Sequence, residues 1–144
     1  MAYDPSNIFA KILRGEIPAI KVYESAQTLT FMDIMPRADG HVLVIPKAAS
    51  RNLLDADPAI LGAMMADVQK VARAVKAAFA AEGVMLVQYN ETAAGQTVFH
   101  LHMHIIPRFA DVALRPHGGA MAKPEALGEH AAKIRKALAE LPEV

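Results

Sequence analysis

His100-Leu101-His102-Met103-His104-Ile105-Ile106 places a histidine at every second position. Alternate side chains of an extended strand point to opposite faces, so the spacing predicts a strand over 97–106, ended by Pro107, with all three imidazoles on one face. Leu101, Met103 and Ile105 fall on the other face, which suits a core. Three readings of the imidazole face stand open. It is a solvated surface, although three rings in register repel one another once protonated. Or it binds a transition metal, which favours neutral ring nitrogens held close together. Or it performs nucleophilic and acid–base chemistry, since histidine is the side chain whose unperturbed pKa lies near neutrality. Just upstream, Asn90, Gly95, Gln96 and Thr97 supply a glycine that lets a loop come close and a set of neutral donors, which together with the imidazoles points to phosphate. The nearest carboxylates in sequence, Glu91 and Asp111, lie outside the strand and are not well placed to complete a metal centre.

Outward from this strand the chain alternates short elements. Asp4 as cap, Pro5 as first helical residue and Gly15 as terminator predict a short helix. Two β-rich runs, 20–23 and 28–33, flank a hairpin turn at Glu24-Ser25-Ala26-Gln27. After the polar turn 36–40, the nearly continuous apolar run 41–46 reads as a central strand buried on both faces. Ile60, Leu61, Met64, Met65, Val68, Val71, Val75 and Phe79 recur by threes and fours, predicting a helix from Pro58 to about Glu82, capped by Asp57 and ended by Gly83. A strand over 84–89, a loop over 90–95, a mobile or wrapping loop over 111–123 and a final helix marked by Leu127, Ala131, Ile134, Leu138 and Leu141 complete the chain. The expectation is a single α+β domain over 1–144: a mainly antiparallel five-stranded sheet with one long and two shorter helices.

Composition narrows the function. At 144 residues and 53% hydrophobic, the chain fits one ordinary domain and is too apolar for disorder. Its 15 basic and 15 acidic residues cancel, so it lacks the field that gathers nucleic acid or an anionic membrane. The absence of cysteine excludes disulfides, cysteine-based zinc sites and thiol chemistry. The first residues show no leader, and no run approaches the roughly 18 apolar residues of a membrane span, so a cytoplasmic protein is expected.

The run 100–106 resembles the signature of the histidine triad (HIT) superfamily of nucleotide hydrolases and transferases. Residues 8–19, Phe31-Met32-Asp33-Ile34, residues 40–47 and the blocks Asn90-Glu91 and Gly95-Gln96-Thr97 resemble the family's other signatures, in its order. Together they span 7 to about 109, with the C-terminal loop and helix, 110–144, outside. The first and third blocks look most like the Hint-type branch and bacterial HIT proteins, whereas residues 104–108 are also similar to the Fhit-type dinucleoside polyphosphate hydrolases. The resemblance implies a HIT-like fold and hydrolysis at the α-phosphate of a purine nucleotide or nucleotide conjugate, a nucleoside phosphoramidate or a dinucleoside polyphosphate, with no cofactor.

By that resemblance His102 attacks phosphorus to form a covalent nucleotidyl-histidine that water later hydrolyses. His104 bonds the phosphoryl group; glutamine at that position marks the galactose-1-phosphate uridylyltransferase branch, so histidine favours hydrolysis over transfer. His100 orients its neighbours together with His41, and Thr97 and Gln96 donate to the phosphate or leaving group. Asp33 accepts from the ribose, Ile8, Phe9, Ile12, Ile17, Phe31 and Leu43 hold the base, and Asn90 and Gly95 belong to the nucleotide site. A homodimer through the long helix and a neighbouring strand is implied as well. Many bacterial relatives hold structural zinc where this chain has Asn7, Ala10 and Ala49, so no such site is expected. The tail lacks the tryptophan-containing ending of the Hint type, and His117 and His130 there are read as surface residues. The alternatives are a metal-binding protein using His100, His102 and His104, and a nucleotide-binding module without turnover.

Overall fold

The computed structural model describes residues 2–116 and 118–143. Its central strand is β3 (Val42–Pro46), whose five residues are all buried, as a strand covered on both faces must be. Around it β1 (Lys21–Glu24), β2 (Thr28–Met32), β4 (Gly83–Val87) and β5 (Met103–Arg108) complete a five-stranded sheet in the order β1-β2-β3-β5-β4. Every neighbouring pair is antiparallel.

Alternation along β3 builds two cores. Val42 and Val44 point to one face, where α2 (Pro58–Ala78) presents Met64, Val68, Val71 and Val75 and α3 (Pro124–Glu140) presents Leu127, Ala131 and Ile134. Leu43 and Ile45 point to the other, joining Leu29, Phe31 and Phe9 of the short helix α1 (Ile8–Leu13). Each fully buried aliphatic or aromatic side chain contributes about 1.5–3 kcal/mol. The larger core fixes the sheet, and the smaller one leaves the α1 face partly open.

Three boundaries differ from the sequence expectation by more than two residues. Asn7, not Asp4, caps α1: its side chain accepts from Ala10 N, while the Asp4 carboxylate is taken by the backbone and hydroxyl of Ser6. The helix therefore starts beyond Pro5. The long helix stops at Ala78, before Glu82, because Ala80 takes φ +49° and the Ala81 amide closes on the Lys76 carbonyl; Gly83 instead opens β4. Finally, β5 starts at Met103 and runs through Pro107. Its pairing with β3 covers only Val42 with Ile105, Leu43 with His104 and Val44 with Met103. By Pro107 β3 has ended, so a missing amide on that side costs no ladder bond.

Candidate active site

One face of the sheet and α1 enclose a cavity of about 420 Å³, within the range of small-ligand sites. Ile8, Phe9 and Ile12 from α1, Ile17, and Phe31 and Leu43 from β2 and β3 form its apolar walls. His102 and His104 line it beside Asp33, His41, Gly95 and Thr97. Phe9 meets the His102 ring edge-on with centroids 4.9 Å apart, and His102 meets His104 at 5.1 Å.

Hydrogen bonds assign the ring protons. His102 Nδ1 lies 2.7 Å from the His100 carbonyl, which can only accept, so Nδ1 carries the proton and Nε2 is the basic nitrogen of the neutral ring. The Arg37 amide donates to His41 Nδ1 at 3.0 Å, which puts the proton of neutral His41 on Nε2. That nitrogen is 2.9 Å from His104 Nδ1 and 3.4 Å from an Asp33 carboxylate oxygen. With His41 donating to the nearer acceptor, His104 Nδ1 is occupied and its Nε2 is the donor. Asp33 is itself held by the Met35 amide at 2.8 Å.

His100 does not join the other two on the cavity wall. It precedes β5, is 1% exposed, and has both ring nitrogens engaged, Nδ1 with the Tyr3 hydroxyl at 2.6 Å and Nε2 with the Pro46 carbonyl at 2.8 Å. Burial holds its pKa below the ordinary histidine value. The three strand histidines therefore do not converge on one ion, which removes the metal reading built on them. Among the described residues the set able to hold a metal is Asp33, His41 and His104, whose donor atoms lie within 4.8 Å of one another. At the positions where the resemblance implies structural zinc in bacterial relatives, Asn7 caps α1 and Ala10 and Ala49 carry no side-chain donor atom, so these residues do not fit that ion.

Two residues assigned to the nucleotide stand elsewhere. Gln96 is buried with its amide fully used: Oε1 accepts from Asn52 and from the Glu91 amide, and Nε2 donates to the Arg51 and Val98 carbonyls. Asn90 accepts from the Leu53 amide and exchanges hydrogen bonds with Gln88. Neither lines the cavity; both hold the loop that presents Gly95 and Thr97 to it. Gly95 sits at φ +107°, and a Cβ there would come within 3.2 Å of the Tyr89 ring, so glycine is required.

Tyr3, Arg51, Arg37 and Tyr89 carry no functional signal in the sequence but stand at or beside the site. Arg37 and Tyr89 line the cavity, although Arg37 belongs to what reads as a plain polar turn and Tyr89 to a strand end. Arg51 grips Glu91 through two hydrogen bonds of 2.8 and 3.0 Å and stacks over Phe99 at 4.2 Å. Glu91 is held at φ +75°, so this pair pins a strained loop. The Arg51 hydrogen bond keeps the Glu91 carboxyl below its usual range, so the clamp is complete above the ordinary glutamate pKa and is lost as pH falls through the lowered one. Arg51→Ala is expected to cut turnover about tenfold by loosening Thr97; parallel kinetics on the two proteins check this, and unchanged rates would refute it. In the tail, His130 is half-buried against Phe79 instead of lying free on the surface, and His117 falls outside the described residues. The described residues of 111–123 wrap: Arg115 N donates to Arg37 O and Ala122 N to Ile34 O, which ties them to the loop after β2.

The HIT domain family model matches residues 14–111. The chain belongs to the HIT family. This HIT protein is similar to a crystal structure of a HIT-like protein involved in cell-cycle regulation from Bartonella henselae, at 54% identity and TM-score 0.89, covering 94% of this chain and 99% of that one. It is 35% identical over 142 residues to adenylylsulfatase HINT3 of Arabidopsis thaliana, covering 94% of this chain and 71% of the relative. It is 38% identical over 112 residues to adenosine 5'-monophosphoramidase HNT1 of Candida albicans, covering 75% and 74%. Among the described residues, no helix is long and apolar enough to cross a membrane.

Proposed function

We propose that this HIT protein hydrolyses nucleotides at the α-phosphate through a covalent intermediate on His102. The observation that supports the reading is the 2.7 Å bond from His102 Nδ1 to the His100 carbonyl, which leaves Nε2 of a cavity-lining ring as its basic nitrogen, the form a nucleophile needs. In the first step Nε2 forms a bond to phosphorus while the bond to the leaving group breaks and the leaving group takes the electron pair. His104 Nε2–H and the Thr97 hydroxyl donate to the phosphoryl oxygens, where charge accumulates. In the second step water attacks phosphorus, the phosphorus–nitrogen bond breaks, and His102 returns to its neutral form. Asp33 accepts from the ribose, and the apolar walls take a purine base.

The relatives named as an adenylylsulfatase and a monophosphoramidase support substrates with a small leaving group on an adenylyl unit. Turnover measured side by side on adenosine phosphoramidate, adenylyl sulfate and a diadenosine polyphosphate is expected to favour the first two. Tight nucleotide binding with no turnover of any of them would replace the enzyme by a binding module. Residues 1–144 act in this reading as one unit, and two copies pair through α2 and the edge strand β4, where Met65 and Leu86 stay 44% and 43% exposed. Sedimentation at micromolar concentration should give the mass of a dimer; a monomer would exclude the pairing.

A further inference from the structure

The N-terminal segment reaches the nucleophile through a chain of directed hydrogen bonds. Asn7 Nδ2 donates to the Tyr3 hydroxyl oxygen at 3.0 Å. His100 Nε2 faces the Pro46 carbonyl and must donate to it, so Nδ1 is an acceptor and the Tyr3 hydroxyl donates to it at 2.6 Å. The Tyr3 and His100 rings also meet edge-on at 5.6 Å. The His100 carbonyl in turn receives the His102 proton. Each bond in the series has one allowed direction, and the series ends by leaving the lone pair on His102 Nε2.

We propose that Tyr3 and Asn7 are positioning residues for His102: they hold His100 neutral, in its Nε2–H form and in one ring orientation, and so fix the carbonyl that orients the nucleophile. This rests on the reading of His102 as nucleophile, but its first consequence, the state of the His100 ring, does not depend on turnover. Among the described residues the His100 ring meets the titratable Tyr3 hydroxyl and the Pro46 carbonyl of β3, and Asn7, the cap of α1, acts on it by way of Tyr3.

Two variants separate positioning from mere packing. Tyr3→Phe keeps the ring and removes the hydroxyl donor. Asn7→Asp keeps the helix cap, since asparagine and aspartate cap equally well. It also puts an acceptor where Nδ2 was a donor. The Tyr3 hydrogen then turns to the carboxylate, and its oxygen becomes an acceptor facing His100 Nδ1, a geometry that favours a protonated ring.

The test is ring nitrogen NMR of His100 from pH 5 to 8, with kcat and KM measured over the same range. The parent should keep the neutral Nε2–H form throughout. Asn7→Asp should make His100 titrate within the range and move the acid limb of kcat up by about one pH unit. Tyr3→Phe should lower kcat about tenfold with KM unchanged. Parent-like nitrogen shifts in both variants, or rate losses equal at every pH for Asn7→Asp, would overturn the proposal. If the parent turns over nothing, the catalytic reading fails while the nitrogen shifts still decide the relay.

Discussion

His102→Ala is expected to lower kcat/KM by about four to six orders of magnitude while the protein stays folded and still binds nucleotide. Removal of a covalent nucleophile costs this much because the remaining groups can only stabilise charge and position water. The ring is 7% exposed and packs edge-on against Phe9, so its loss leaves a small gap at the cavity wall and does not open the main core, which lies across the sheet. The apolar walls and Asp33 are untouched, so KM should change far less than kcat. Steady-state kinetics with circular dichroism and nucleotide titration check this together. A folded variant retaining more than about a hundredth of the parent rate would remove His102 from the role given to it.

Gly40→Ala is the substitution away from the reacting groups with the largest expected effect on stability. Gly40 has φ +90°, where an L side chain is strained by roughly 1–2 kcal/mol. An added Cβ would also lie 2.6 Å from the edge of the Phe79 ring. That ring cannot swing away freely, because His130 packs on it edge-on and Lys133 lies over it. Strain and overlap together should cost about 2–4 kcal/mol. Chemical denaturation measures it, and a loss under about 0.5 kcal/mol would refute it. The Phe79→Ala background should recover the overlap part and leave the strain part. Activity should fall as well, since His41 follows Gly40 directly and contacts His104.

These two positions show what the sequence carries. The fold was legible because its signals are periodic and local: the short apolar run of β3, closed by proline, reads as a doubly covered strand, and the stripe on α2 as one face of a helix. The histidine spacing points to the strand that carries the proposed site, and the resemblance supplies the roles proposed for its rings. Period two, however, extends upstream of Met103, where β5 begins, because alternation does not register where strand pairing starts. His100 left the shared face for that reason. Gln96 and Asn90 carry donors suited to phosphate, yet a donor in a loop is just as useful to the loop, and only the positions of Arg51, Asn52, Leu53 and Gln88 decide which use prevails. Tyr3, 97 residues from His100, had no local signal at all.

The covalent step is tested most directly by mixing enzyme with adenosine phosphoramidate, quenching within a single turnover under alkaline conditions and mapping the product by mass spectrometry. An acid-labile adenylyl group is expected on the peptide containing His102, formed and consumed at rates compatible with kcat. Turnover at full rate with no adduct at any time, or an adduct on His100 or His104 in place of His102, would contradict it.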